Sequence, residues 1–229
     1  MSNDEGLIIE ERPVKVLLVE GKDDLNVCYQ LLQSHEIAAV IGRDTATADI
    51  QILEKVGFTE VLKSLPQEFK VSGLTSLGIV VDADQDLQTC WDKVRVRLQK
   101  QGYSTVPPHP DPNGTVICES DRPTVGVWIM PNNQLTGTLE GFCRYLIPAE
   151  DRLWEHAEQI VEQIIQVQRH FPDNENYEMK AKIHTWLAWQ ALPGKPLGVA
   201  IRSKFLDART DGAELFVGWI RLVYGLDSE

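Results

Sequence analysis

The segment Leu77-Gly78-Ile79-Val80-Val81-Asp82-Ala83-Asp84 passes without transition from five residues lacking any polar side chain to a pair of aspartates. An unbroken apolar run of this length, closed by charge, predicts a strand covered on both faces; a half-exposed strand would alternate. Residues 14–19 form a β-favouring run, apolar except for Lys15, that ends at Glu20-Gly21, and residues 125–130 repeat the unbroken pattern before Pro131-Asn132-Asn133. Shorter runs at 37–41 and 115–118 read as further strands.

The intervening segments have helical spacing. Residues 23–34 place Leu25, Tyr29 and Leu32 on one face, with Asp23 or Asp24 as the expected helix cap. Leu87, Trp91, Val94 and Leu98 follow at four- and three-residue steps, and the opposite face carries Lys93, Arg97 and Lys100. A mixed, weakly helical region fills the stretch up to about residue 72, and four prolines break the chain between 107 and 112. From residue 138 the pattern is helical, over 138–146, roughly 150–171, 176–192 and 212–224. The long helix carries Leu153, Ala157, Ile160, Ile164, Val167 and Phe171 as its expected packing stripe.

Strands alternating with helices predict an α/β fold with a mainly parallel sheet flanked by helices. The expected division is a polar tail (1–12), an α/β core (13–150) and a helical C-terminal extension packed on the core (151–229).

With 229 residues and a net charge of −12, the chain is long enough for a substantial core and too acidic to coat nucleic acid over its whole surface. The polar, acidic start lacks a secretory signal, and no apolar run approaches the ~20 residues of a membrane helix, so a cytoplasmic protein is expected. Four widely spaced cysteines suggest small buried side chains, not a zinc site or disulfide frame.

Ligands of parallel sheets bind outside the carboxyl ends of the strands. There the sequence is acidic three times: Glu20 after the first strand, Asp82, Asp84 and Asp86 after the third, and Glu140 in Gly137-Thr138-Leu139-Glu140 after the last. Carboxylates gathered at one sheet end need a shared proton, an intervening Lys or Arg, or a hard divalent cation, for which Mg²⁺ or Mn²⁺ suits oxygen-only ligands. Plainer roles are open for Asp86, which suits the first turn of a helix, and for Glu140, which suits a helix start capped by Thr138. An EF-hand fails, because its Gly and Glu positions hold Leu87 and Lys93. No phosphate-binding Gly-rich loop and no Gly-x-Ser-x-Gly elbow occurs.

Val19-Glu20-Gly21-Lys22-Asp23-Asp24, followed two strand–helix units later by Val80-Val81-Asp82-Ala83-Asp84, resembles the Toprim domain of topoisomerases, primases, ribosomal-RNA maturases and OLD-family nucleases. With Glu140 and the helical tail, the chain looks like a bacterial branch of that superfamily near the OLD-like proteins. The resemblance implies a Rossmann-like Toprim core and a Mg²⁺- or Mn²⁺-dependent nuclease, a phosphodiester hydrolase acting on DNA or RNA. It implies Asp82 and Asp84 as metal ligands, with Asp86 and Glu140 as further acids of the metal site, and Glu20 as acid/base or second-site ligand. OLD proteins fuse an ATPase to this module, so a separate ATPase partner in phage defence, with this chain as a non-catalytic subunit, is an alternative. Another is a haloacid-dehalogenase-type phosphohydrolase with Asp82 as nucleophile, although Asp86 stands where that pattern asks for Thr or Val.

Between Lys180 and Arg209 the chain carries an excess of five positive charges. Lys180, Arg202 and Lys204 are the expected nucleic-acid contacts. Lys182 and Lys195 are expected to offset charge on a reacting phosphate, and Trp186, Trp189 and Phe205 are either stacking faces or core.

Overall fold

A computed structural model describes residues 12–44 and 46–226. Six strands, β1 (Val14–Val19), β2 (Ala39–Ile41), β3 (Ile50–Glu54), β4 (Leu74–Asp82), β5 (Thr115–Ile117) and β6 (Thr124–Met130), form one sheet in the order β2-β3-β1-β4-β6-β5. All neighbouring pairs are parallel except β5–β6. The α/β class and the mainly parallel sheet are thus as the sequence indicates.

Two layers of helices cover the sheet, and the period of two along each strand sorts its residues between them. Val16, Leu18, Ile79, Val81, Val127 and Ile129 pack under α2 (Phe58–Glu68) and α3 (Leu87–Lys100). Leu17, Val19, Val80, Trp128 and Met130 face the other way. They share a larger core with α1 (Lys22–Ser34), α4 (Leu139–Arg144), α5 (Leu153–Val167), α6 (Glu175–Ala188), α7 (Leu197–Arg202) and α8 (Asp211–Tyr224).

The last helix belongs to that second layer. It lies against the sheet where the strands have no side chain: a Cβ on Gly126 would come within 2.2 Å of Val223, and one on Gly78 within 2.4 Å of the Tyr224 hydroxyl. That hydroxyl donates to the Val16 carbonyl at 2.7 Å. The helical extension therefore completes the covering of the sheet.

Several sequence expectations are corrected. The region before residue 72 contains β3 and α2. Residues 197–202 form α7. The buried face of α5 is Trp154, Ala157 and Val161, while Ile160, Ile164 and Val167 of the expected stripe are exposed and Phe171 lies beyond the helix end. Three cysteines are buried, but Cys118 is exposed. The expected tail, residues 1–12, lies outside the described residues except for Arg12. No helix among the described residues is long and apolar enough to cross a membrane.

Candidate metal and phosphate site

Strand order places the site. After β1 the chain builds β2 and β3 on one side, then returns to add β4 on the other. The carboxyl ends of β1 and β4 therefore flank the point where the winding reverses, which is where open parallel sheets leave a crevice. Glu20 follows β1, and Asp82 ends β4.

A cleft of about 710 Å³ opens there. Its floor holds Asp24, Asp82, Asp84 and Glu140, and its far wall is Asn174, Asn176, Tyr177 and Lys180 at the start of α6. That wall comes from the helical extension, so core and extension build the cleft together.

Local backbone geometry sets each acid. Gly21 is the N-cap of α1 and makes no side-chain cap bond, so neither Asp23 nor Asp24 caps this helix as expected. A Cβ at Gly21 would sit 3.1 Å from the Asp24 carboxylate, so the glycine leaves room for Asp24 to fold back beneath the end of β1. Asp24 is buried. Asp84 departs from the extended path and lies at φ +52°. It exchanges two backbone hydrogen bonds with Gly137, donating to its carbonyl at 2.9 Å and accepting from its N–H at 2.8 Å. The loops after β4 and β6 are thereby tied, and this brings Glu140 to the aspartates. The Thr138 hydroxyl donates to Glu140 Oε2 at 2.7 Å, and Lys180 Nζ lies 3.2 Å from Oε1.

The electrostatics divide the acids into two kinds. Burial, with the charges of Glu20 and Glu140, pushes the Asp24 carboxyl up to about 7. Burial, with Asp24, Glu20, Glu140 and Asp84 around it, pushes Asp82 up to about 9. Glu20 is raised chiefly by burial, against the backbone N–H groups of Asp82 and Phe58 that it accepts. Glu140 goes the other way: burial opposes its charge, but the Thr138 hydroxyl and the Lys180 ammonium hold it below the usual range.

One oxygen of Asp24 and one of Asp82, both Oδ1, are buried without a hydrogen-bond partner. Buried polar atoms are nearly always satisfied, so two orphaned carboxylate oxygens in one cleft fit a proton or a cation. Two lysines line the cleft, Lys22 and Lys180, and Lys180 is engaged by Glu140. Among the described residues no three His, Cys, Asp or Glu side chains form a ready-made metal cluster. An ion such as Mg²⁺, which keeps several waters and takes one or two carboxylates, needs no such cluster.

Other expected residues lie elsewhere. Asp86 caps α3, accepting from the Thr89 N–H at 2.9 Å and its hydroxyl at 2.7 Å, so its carboxylate is committed outside the cleft. Lys182 is held by Glu162 at 3.0 Å and Glu178 at 2.9 Å and braces α6 against α5. Lys195, Arg202 and Lys204 are exposed and do not line the cleft. Trp186 is fully buried, with its N–H on Asp151 at 3.0 Å, whereas Trp189 is exposed. The basic stretch is thus dispersed over several faces. Asp24 was the residue hidden in the sequence; its four-residue step from Glu20, one helical turn after a glycine, was the available signal.

From the first residue of β1 to the glycine that caps α8, residues 14–225, the chain matches a family described as "Protein of unknown function (DUF3226)". The chain belongs to the DUF3226 family. No curated protein and no solved structure matches this DUF3226 member. The matched span includes the sheet, the cleft and the eight helices of the described residues, so α8 and the α6 wall fall within the family unit.

Proposed function

We propose that this DUF3226 protein is a divalent-metal-dependent phosphodiesterase acting on nucleic acid. The observation that carries the reading is the pair of buried, unpartnered oxygens on Asp24 and Asp82 at the reversal point of a parallel sheet. The Toprim-like order of Glu20, Asp82 and Asp84 supports it.

Asp24 and Asp82 would hold Mg²⁺ or Mn²⁺, with the exposed Asp84 at the mouth beside the ion's waters, and the bound ion would supply Lewis-acid polarisation of a phosphoryl oxygen. Glu20 positions the site by accepting the Asp82 N–H. Glu140 anchors Lys180 against the cleft, where its ammonium offsets negative charge developing on phosphate. The Asn174 and Asn176 side of the wall offers uncharged hydrogen-bonding groups for the remainder of a nucleotide.

The test is incubation with labelled single- and double-stranded DNA and RNA in Mg²⁺ or Mn²⁺. Cleavage is expected to depend on the divalent ion and to be lost in Asp82→Asn and Asp24→Asn proteins that retain native helical content. Absence of cleavage on all four substrates refutes the reading.

A further inference from the structure

The acidic cleft continues out of the site on the opposite side from α6. Asp82, Asp84 and Gln85 also line a hollow of about 220 Å³ shared with Phe58, Thr89 and Lys93, and with Asp86, whose carboxylate is held by Thr89. Phe58, Thr89 and Lys93 in turn begin a groove of about 570 Å³ between α2 and α3. The groove has an apolar floor in Leu62 and Val96 and a rim of Lys63, Lys93, Arg97 and Lys100.

This is a local reversal of sign in a chain of net charge −12. The one carboxylate lining the groove, Asp92, is paired with Arg95 at 2.9 Å. Lys63 pairs with Glu60 at 2.7 Å, and Lys93 lies 5.7 Å over the Phe58 ring. Among the described residues, Arg97 and Lys100 make no ion pair. Spaced by four and three residues, Lys93, Arg97 and Lys100 share a face of α3 and run ~10 Å along its axis. A duplex strand carries one phosphate per ~3.4 Å of axis, so this row spans about three phosphates. Its first member lines the same hollow as Asp82 and Asp84, and the others lead away from them.

We propose that the α2–α3 groove is the track for the sugar–phosphate backbone of the nucleic-acid strand that enters the acidic cleft. Lys93, Arg97 and Lys100 contact successive phosphates, and Val96 lies against a sugar. The C-terminal cations Arg202 and Lys204 have no part in it. The assignment rests on the phosphodiesterase reading and adds to it the face from which substrate arrives.

The decisive experiment measures binding of a short fluorescent oligonucleotide, single-stranded and duplex, across a KCl titration. The proteins compared are Asp82→Asn, the same chain with R97Q and K100Q added, and the same chain with R202Q and K204Q added. Cleavage by R97Q/K100Q in the otherwise native protein is followed in parallel. Loss of two phosphate contacts predicts roughly tenfold weaker binding and a log–log salt slope shallower by about 1.4 for single strands or 1.8 for duplex. The R202Q/K204Q chain should match its parent. Wild-type cleavage together with an unchanged slope in R97Q/K100Q overturns the groove and leaves the nuclease reading standing. A protein that neither binds nor cleaves nucleic acid overturns both. If poly-glutamate competes as well as the oligonucleotide, the groove is a site for acidic protein segments and the assignment fails.

Discussion

Glu20 Oε1 accepts the backbone N–H of Asp82 at 2.9 Å, so the acid that follows β1 holds the last residue of β4 in place. The bond crosses the point where the order of the sheet reverses, and it explains why a third carboxylate is tolerated beside Asp24 and Asp82. Glu20→Ala leaves the Asp82 and Phe58 amides without that acceptor. The loss should outweigh the relief of repulsion and destabilise the protein by about 1–2 kcal/mol. Chemical denaturation of both proteins in EDTA checks this; an unchanged midpoint contradicts it.

Asp24→Asn and Asp82→Asn should do the opposite. Each removes a buried acid crowded by like charges, so the metal-free variants should melt about 3–6 °C above the parent. Both should also lose the rise in Tm that Mn²⁺ gives the parent. Thermal melts with EDTA and with Mn²⁺ read both effects, and a destabilised metal-free Asp82→Asn argues against a repulsive site.

The same crowding sets a pH dependence. Folded Asp24 is raised to about 7 and Asp82 to about 9, both above the ordinary 3.8 of an aspartate, so between those limits the folded state binds more protons than the unfolded state. Stability of the metal-free protein therefore falls as pH rises from about 4 to about 9, the two acids titrating as a coupled pair. Stabilisation by Mn²⁺ should grow over the same range, because the ion replaces protons. Melts at several pH values with and without Mn²⁺ test the sign.

Lys180 and Lys182 are separated by one residue and should behave differently. Lys180→Met breaks a half-exposed pair with Glu140, worth at most about 1 kcal/mol, but should lower cleavage about a hundredfold. Lys182→Met removes the bridge to Glu162 and Glu178 and should leave turnover within a few-fold of the parent. Rates and melts measured together separate the two.

Gly126→Ala tests whether α8 belongs to the core. The new methyl would meet Val223 at 2.2 Å and Trp219 at 2.9 Å, and overpacking of this kind costs about 3 kcal/mol. A variant as stable as the parent would mean that α8 packs loosely.

The central strands were legible because β1, β4 and β6 are buried on both faces over most of their length and write long apolar runs at 16–19, 77–81 and 125–130. β3 was not, because Gln51 interrupts its apolar pattern while lying buried and bonded to the Asp44 carbonyl at 2.8 Å. α2 was obscured by Pro66 inside it. At the site, Glu20, Asp82, Asp84 and Glu140 were readable from their places after strands, because sheet topology gathers strand ends. Asp24 was not, since an aspartate early in a helix ordinarily caps or meets the dipole. Asp86 followed that ordinary rule. The scatter of the basic stretch was set by tertiary packing of α6 and α7, which no charge count along the chain contains.

The most direct measurement is anomalous diffraction from crystals soaked in Mn²⁺. The account predicts a peak in the cleft bound by carboxylate oxygens of Asp24 and Asp82, lost in Asp82→Asn. A fully occupied Mn²⁺ elsewhere, with the Asp24 and Asp82 oxygens instead sharing a proton, would contradict it.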